Sequence, residues 1–255
     1  MRIAVAQLSA SSDPMANLHE VGRQVKDAAA AGASLAVLPE ATMCRFGTDL
    51  ASVAEPLVGP FATGVRQIAE QHRVTVIAGM FTPADQGRVH NTLLITGPEG
   101  EHSYNKIHLY DAYGSRESDT VAPGQELVTF ELEGVTIGVA TCYDLRFADQ
   151  FSALGRVGAE LVAVSASWGE GPGKAEQWEL LVRARALDSQ AWVLACDQAW
   201  NPPEGSDPLG LGNSMIVDPF GHIRDQLGHE PDLLISDIDP AVSRRARHRI
   251  PLGAH

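Results

Sequence analysis

"LVTFELEGVTIGVATCYDLRFADQFSALGRVGAELVAVSASW", residues 127–168, contains two kinds of strand connection side by side. "LVTFELEGVTIGVATC" has two strand-like runs broken at Glu133 and Gly134, a hairpin signal that joins antiparallel neighbours. "DQFSALGRVGAELVAVSASW" then reads as a helix followed by a buried strand, the connection that parallel neighbours require. A chain that uses both builds a mixed sheet.

The same two patterns occur in the first half. After the strand "RIAVAQL", Pro14 opens a stretch in which Leu18, Val21, Val25 and Ala28 or Ala29 recur at helical spacing until Gly32 stops the helix. "SLAVLPE" follows as a buried strand, and "FATGVRQIAEQHRVTVIAGMF" repeats helix then strand. "VHNTLLITGPEGEHSYNKIHLYD" is a second hairpin, turning at Gly-Pro-Glu-Gly. Beyond the opening stretch, "KAEQWELLVRARALDSQAWVLACDQAW" supplies a longer helix and a strand. "GNSMIVDPFGHIRDQLG" and "DLLISDID" predict two closing strands. The expectation is a layered α/β fold with mixed sheets, one domain over residues 1–255 with 243–255 as a C-terminal tail.

Composition narrows the function classes. With 255 residues, 44% hydrophobic and 20% charged, the chain can bury a large core without staples. Its 32 acids against 19 bases, a formal net charge of -13, repel phosphate backbones and anionic lipid. No nucleic-acid or membrane partner is therefore expected, and the basic run "RRARHR" reads as a solvated or interface segment. Cys44, Cys142 and Cys196 lack CxxC or Cys/His ligand spacing, so neither a disulfide framework nor a metal site is expected. "RIAVAQL" follows Met1 with no leader pattern, and no apolar run reaches the length of a membrane span. These features point to the cytoplasm.

Three strand exits carry reactive side chains: Glu40 after "SLAVLP", Lys106 after "HSYN" and Cys142 after "VTIGVAT". Strand ends aim side chains into clefts from a rigid scaffold. A carboxylate, a cation and a thiol together can carry out acyl transfer: the base takes the thiol proton, the thiolate attacks a carbonyl carbon, and the ammonium stabilises the oxyanion. Taken singly, each has an ordinary reading, as core filler for the cysteine and as solvated charges for the other two.

"VLPE", "YNKIHLYD" and "ATCYDLRF", in that order, closely resemble the three signature segments of the nitrilase superfamily of carbon-nitrogen hydrolases. "RESDTVAPG", "QWELLVRARALD", "GNSMIVDPFG" and "RRARHRIP" extend the resemblance over nearly the whole chain. It implies a four-layer αββα sandwich that forms homodimers, and a catalytic triad in which Glu40 is the general base, Lys106 the oxyanion-stabilising cation and Cys142 the nucleophile. It further implies that Glu117 stands beside the triad to orient Lys106 and the substrate, and that the backbone N–H of Tyr143 is a second oxyanion donor. No metal or organic cofactor is implied.

Within that superfamily the segments look most like amidases acting on ω-amides of α-keto acids and on deaminated glutathione. The implied partner is a small amide that carries a carboxylate, which calls for a cation in the pocket. Arg146 is a candidate for that role, and a structural pairing with an acid such as Asp144 is an equal alternative. Arg45, Arg116 and Arg183 are further candidates, Arg183 and Arg185 alternatively bracing their helix beside Glu179 and Asp188. In the glycine-rich "SASWGEGPGKAEQW", Trp168 is either an apolar wall of the pocket or a core residue. The Pro/Gly-rich loop before "GLGNS" is a candidate cover for the cleft or contact with a second subunit. Three other readings compete: a nitrilase or N-carbamoyl amino acid hydrolase on the same fold, Cys-His catalysis using His108 or His90, and a binding protein without chemistry.

Overall fold

The computed structural model describes residues 1–200 and 210–252. In chain order the first half contains β1 (Arg2–Gln7), α1 (Pro14–Ala30), β2 (Leu35–Val37), α2 (Leu50–Val53), α3 (Pro60–His72), β3 (Thr75–Pro83), β4 (Val89–Gly97) and β5 (Gly100–Asn105). The second half contains β6 (Thr129–Leu132), β7 (Val135–Thr141), α4 (Ala148–Arg156), β8 (Leu161–Ala166), α5 (Lys174–Ser189), β9 (Trp192–Asp197), β10 (Met215–Val217), β11 (Ile223–Gln226), β12 (Asp232–Asp237) and α6 (Ala241–Arg249).

Two six-stranded mixed sheets result, ordered β12-β1-β2-β3-β4-β5 and β11-β10-β9-β8-β7-β6. In each, three adjacent strands are parallel, β1, β2 and β3 in one and β7, β8 and β9 in the other, while the flanking pairs are antiparallel. Both expected hairpins form: Gly97 pairs with Gly100, and Glu133 and Gly134 both adopt positive φ, the backbone that a tight two-residue turn between strands requires.

Strand alternation assigns the layers. Ile3, Val5, Leu35, Val37 and Ile77 of the first sheet pack against Ile137, Val139, Leu161, Leu194 and Ile216 of the second, making the central core. The opposite faces are covered by helices. Val21, Val25, Phe61 and Val65 pack on the first sheet, and Phe151, Leu154, Trp178 and Val182 on the second. The order is helix, sheet, sheet, helix, the expected four-layer sandwich.

The chain closes with three strands, not the predicted two. β11 presents one partly covered residue and three exposed ones, so it carries no apolar alternation by which a strand could be read. β12 leaves the second sheet and pairs with β1, so the last strand completes the first sheet. The segment from residue 243, read as a tail, begins inside α6. There Ser243 donates to the Glu160 carbonyl at 2.7 Å, Arg244 pairs with Glu160, and Arg245 pairs with Asp239 at 2.9 Å. The basic run is thus largely spent on intramolecular contacts. No helix among the described residues is long and apolar enough to cross a membrane.

Candidate active site

Glu40 leaves the end of β2 at the seam between the two sheets. Its backbone is fixed from the opposite sheet: Ser165 Oγ donates to the Leu38 carbonyl at 2.7 Å, and Gln198 Nε2 to the Glu40 carbonyl at 2.8 Å. The carboxylate is buried. Oε1 accepts from Asn91 Nδ2 at 2.7 Å and Lys106 Nζ at 2.9 Å, and Oε2 from the Ser167 N–H at 2.8 Å.

Gly79 on β3 runs beneath this segment. A Cβ there would lie 2.6 Å from the Ala41 nitrogen and 2.7 Å from the Pro39 oxygen, both backbone atoms that cannot step aside. Gly79→Ala is therefore expected to cost about 1–3 kcal/mol of stability, the usual range for overpacking, and to lower kcat by displacing Glu40. Urea unfolding and initial rates check this. A variant with the native midpoint and the native kcat would show that the crossing tolerates a methyl group.

Lys106 follows β5 and is held by its backbone, which donates to the Asn91 carbonyl at 2.9 Å and accepts from the Gly124 N–H at 2.7 Å. Its Nζ meets Glu40 Oε1 at 2.9 Å and both Glu117 oxygens at 3.0 and 2.9 Å. Burial pulls the Lys106 pKa down, but the charges of Glu40 and Glu117 outweigh it, and the group sits well above the ordinary lysine value. It is a permanent cation between two carboxylates. Glu117 also accepts the Tyr110 N–H at 2.6 Å, which ties the loop after Lys106 back onto the site.

Cys142 lies at the exit of β7 with φ at 46°, a left-handed backbone that a residue with a Cβ seldom adopts outside tight, over-determined turns. The turn Cys142–Arg146 follows immediately. The Tyr143 N–H precedes the first bond of that turn and is one of the donors it leaves over. Asp144 anchors the turn: its Oδ2 accepts from Tyr104 Oη at 2.6 Å and the Thr141 N–H at 2.8 Å, and its Oδ1 accepts from the His108 N–H at 3.0 Å. Tyr104 and His108 bracket Lys106, so one buried carboxylate couples the cysteine's turn to the lysine's loop. The half-buried thiol is held well above its ordinary pKa, first by burial and then by the Glu40 charge, with Lys106 opposing both. At neutral pH it is a thiol that needs a base.

Glu40, Lys106 and Glu117 are thus brought into direct contact, and Glu40 and Lys106 are the charged groups that act most on Cys142. Arg146 does not pair with Asp144, whose oxygens are already occupied. Its guanidinium donates to Gln177 Oε1 at 2.7 Å and lies over the rings of Trp168 and Tyr143. Trp168 is buried against Trp178, with the Arg146 guanidinium and the Lys174 ammonium over its ring. Arg183 bonds the Gly221 carbonyl and Glu179, and Arg185 lies 3.2 Å from Asp188; both brace α5. Arg116 faces Asp119 on the surface, and Arg45 donates its N–H to the Ser11 carbonyl at 3.0 Å. His108 Nδ1 is engaged with Asp144 at 2.9 Å and His90 Nδ1 with the Ala122 carbonyl at 3.0 Å, and neither histidine is among the groups that act most on the Cys142 thiol. Most of the loop proposed as a cover, residues 201–209, lies outside the described residues.

Sequence reading missed Asn91, which bonds Glu40 and reaches Glu117 at 3.3 Å from the middle of β4. An amide inside the apolar run "VHNTLLI" was the available signal. It also missed Asp197, a carboxylate at the end of buried β9 that accepts the N–H groups of Trp168 at 2.7 Å and Leu211 at 3.0 Å. Burial pushes Asp197 well above the ordinary carboxylate range. Among the described residues no cluster of His, Cys, Asp or Glu is arranged to hold a metal ion.

Comparison with known proteins agrees with this architecture. A hydrolase of Mycobacterium tuberculosis is 51% identical over 98% of this chain and 93% of its own length. The omega-amidase NIT2 of Mus musculus is 32% identical over 98% of this chain and 93% of its own. The deaminated glutathione amidase of Escherichia coli O157:H7 is 32% identical over 99% and 95%. The crystal structure of Saccharomyces cerevisiae Nit3, a member of branch 10 of the nitrilase superfamily, superposes with a TM-score of 0.86 at 28% identity, covering 99% of this chain and 94% of that one. Residues 2–248 match the carbon-nitrogen hydrolase family, and this chain belongs to it, as an enzyme of the nitrilase superfamily acting on amides.

Proposed function

We propose that the protein is a cysteine-dependent amidase that hydrolyses a small, carboxylate-bearing amide through a thioester on Cys142, the ω-amide of an α-keto acid and deaminated glutathione being the substrate classes its relatives suggest. The observation that carries this reading is the buried Glu40–Lys106–Glu117 cluster beside a thiol whose ionisation Glu40 and Lys106 control.

The substrate carbonyl oxygen lies between Lys106 Nζ and the Tyr143 N–H. Lys106 directs its three donors at Glu40 and the two oxygens of Glu117, so the developing oxyanion takes over one of the paired Glu117 contacts. Glu40 removes the thiol proton, the thiolate adds to the carbonyl carbon, and Glu40 returns that proton to the departing nitrogen. Ammonia or an amine leaves. Water deprotonated by the again-ionised Glu40 adds to the thioester, and collapse expels the Cys142 thiolate, which recovers the proton from Glu40 as the acid departs. Arg146, half-buried at the rim with no carboxylate at ion-pair distance among the described residues, binds the substrate carboxylate.

Exposed Leu180 and Leu187, seven positions apart on one face of α5, support a homodimer; a sedimentation mass of one chain would overturn it. Three unpaired thiols, two of them buried, fit a reducing compartment such as the cytoplasm, and localisation of a tagged chain tests that. The activity is tested by an ammonia-release screen against α-ketoglutaramate, deaminated glutathione (read by amine release), simple aliphatic amides, nitriles and N-carbamoyl amino acids. Turnover of the first two that disappears in Cys142→Ala is expected. Turnover confined to nitriles or carbamoyl compounds, or ammonia release that survives Cys142→Ala, would overturn the reading.

A further inference from the structure

The end of β9 holds the end of β8 from the side. Ala166, the last residue of β8, pairs with Asp197, the last of β9, and the Gln198 N–H donates to the Ala166 carbonyl at 3.0 Å. Asp197 then reaches the chain that leaves β8. Its Oδ1 accepts the Trp168 N–H at 2.7 Å, while Oδ2 accepts the Leu211 N–H at 3.0 Å. The carboxylate is fully buried, and among the described residues its printed partners are backbone N–H groups and no cation. A buried charge held in this way is costly, and a neutral side chain of similar size would fill the space more cheaply.

Between these anchors lies the Ser167 N–H, which meets Glu40 Oε2 at 2.8 Å. Burial and the Glu40 charge hold the Cys142 pKa up. Lys106 and then the Ser167 N–H, a hydrogen-bond donor to the thiol sulfur, pull it down, and the Asp197 charge adds a smaller rise. One peptide proton therefore serves both the base and the nucleophile. The Ala166 carbonyl shares a rigid plane with that N–H, so the Gln198 bond sets the plane's tilt, and the Trp168 bond to Asp197 stops it from pivoting.

We propose that Asp197 is a positioning residue of the reaction, which through the Trp168 N–H holds the Ser167 N–H on both Glu40 Oε2 and the Cys142 sulfur. This rests on the amidase reading, in which Glu40 takes the thiol proton. Oε1 already accepts from Asn91 and Lys106, whereas Oε2 accepts from Ser167 alone. Oε2 thus keeps the lone pair that receives the proton, and the Ser167 N–H sets where that lone pair points. The S–H bond breaks as the Oε2–H bond forms, and Oε2 later gives the same proton to the departing nitrogen.

The test compares Asp197→Asn with Asp197→Ala in the full chain. Both remove the charge. Asparagine keeps a carbonyl oxygen for the Trp168 N–H and turns its NH2 to Leu211, whereas alanine leaves both N–H groups without an acceptor. With α-ketoglutaramate, or deaminated glutathione if that is the faster substrate, kcat should stay within about fivefold of the wild type in Asp197→Asn and fall about 10–100-fold in Asp197→Ala. Iodoacetamide labelling of Cys142 from pH 7 to 11, read by mass spectrometry, separates positioning from mere support. Loss of the Ser167 contact should raise the apparent thiol pKa in Asp197→Ala above that in Asp197→Asn, with a thiolate fraction at pH 8 about fivefold smaller, the worth of one hydrogen bond. A site that has only loosened would admit water and move the thiol the opposite way. A thiol pKa in Asp197→Ala equal to or below that in Asp197→Asn, a wild-type kcat in Asp197→Ala, or a larger loss in Asp197→Asn would each overturn the proposal. Asp197→Val, which fills more of the space without an acceptor, replaces Asp197→Ala if that chain does not fold, and if neither folds the Asp197→Asn rate decides alone. If the unmodified chain releases neither ammonia nor amine from any amide of the screen, the amidase reading fails, while the labelling comparison still reports whether Asp197 holds the Ser167 N–H.

Discussion

Glu40→Gln is expected to abolish most turnover while making the Cys142 thiol easier to ionise. The two effects have opposite sign because Glu40 acts on the thiol in two ways. As the base it accepts the proton, and loss of a positioned general base costs about 10²–10⁴-fold in rate. As a charge it raises the thiol pKa, second only to burial, while Lys106 lowers it. Glutamine removes the first of these charges and leaves the second, so the thiolate fraction at a given pH rises. The carboxamide can still accept from Asn91 and Lys106 through its oxygen, but its NH2 then opposes the Ser167 N–H that Oε2 now accepts, so a modest loss of stability accompanies the change. Iodoacetamide labelling of Cys142 between pH 7 and 10, followed by mass spectrometry, should show a lower apparent pKa in the variant. If labelling and turnover fall together, Glu40 supports the fold and not the proton transfer.

Lys106→Met should be the most destabilising single change at the site. Both carboxylates that surround Nζ are buried, Glu40 at 1% and Glu117 at 8% side-chain exposure, and removal of the cation leaves two like charges without a partner. Breaking a buried ion pair from one side costs about 3–5 kcal/mol, and the oxyanion loses a donor, so kcat should also fall by about 10²–10³-fold. The sign of the pH dependence follows from the raised pKa of Lys106. Its stabilisation is fully present below the ordinary lysine value of 10.5 and is lost only as the pH rises through the higher folded value. The difference in urea midpoint between the two proteins should therefore hold steady across the neutral range. A Lys106→Met chain as stable as the wild type at pH 7 would mean that the buried ion pairs add nothing to the stability of the fold.

The candidate site was legible in the sequence because each of its residues sits inside a local pattern. Glu40, Lys106 and Cys142 follow strand signals, and a strand end fixes where its next side chain projects. The mixed sheets were legible from two hairpins and the helix-strand repeats. β11 and the return of β12 to β1 were not, since an exposed strand has no period to read and pairing across the molecule leaves no local mark. The docking of residues 243–249 was hidden for a related reason: a run of arginines reads as solvated until Glu160, Asp239 and free carbonyls are brought beside it.

By itself the sequence determined most of the element types, the layered α/β class and the motifs that carry Glu40, Lys106, Glu117 and Cys142, because backbone periodicity and short motifs are local properties. Only the tertiary structure decided which charges neutralise one another. It gave Asp144 to Tyr104 and His108 instead of Arg146, placed Asn91 and Ser167 on Glu40, and left Arg146 and Lys174 facing the same indole. The reason is physical: a hydrogen bond or ion pair depends on a few ångströms between residues tens of positions apart, and that distance exists only once the two sheets have closed on their common core.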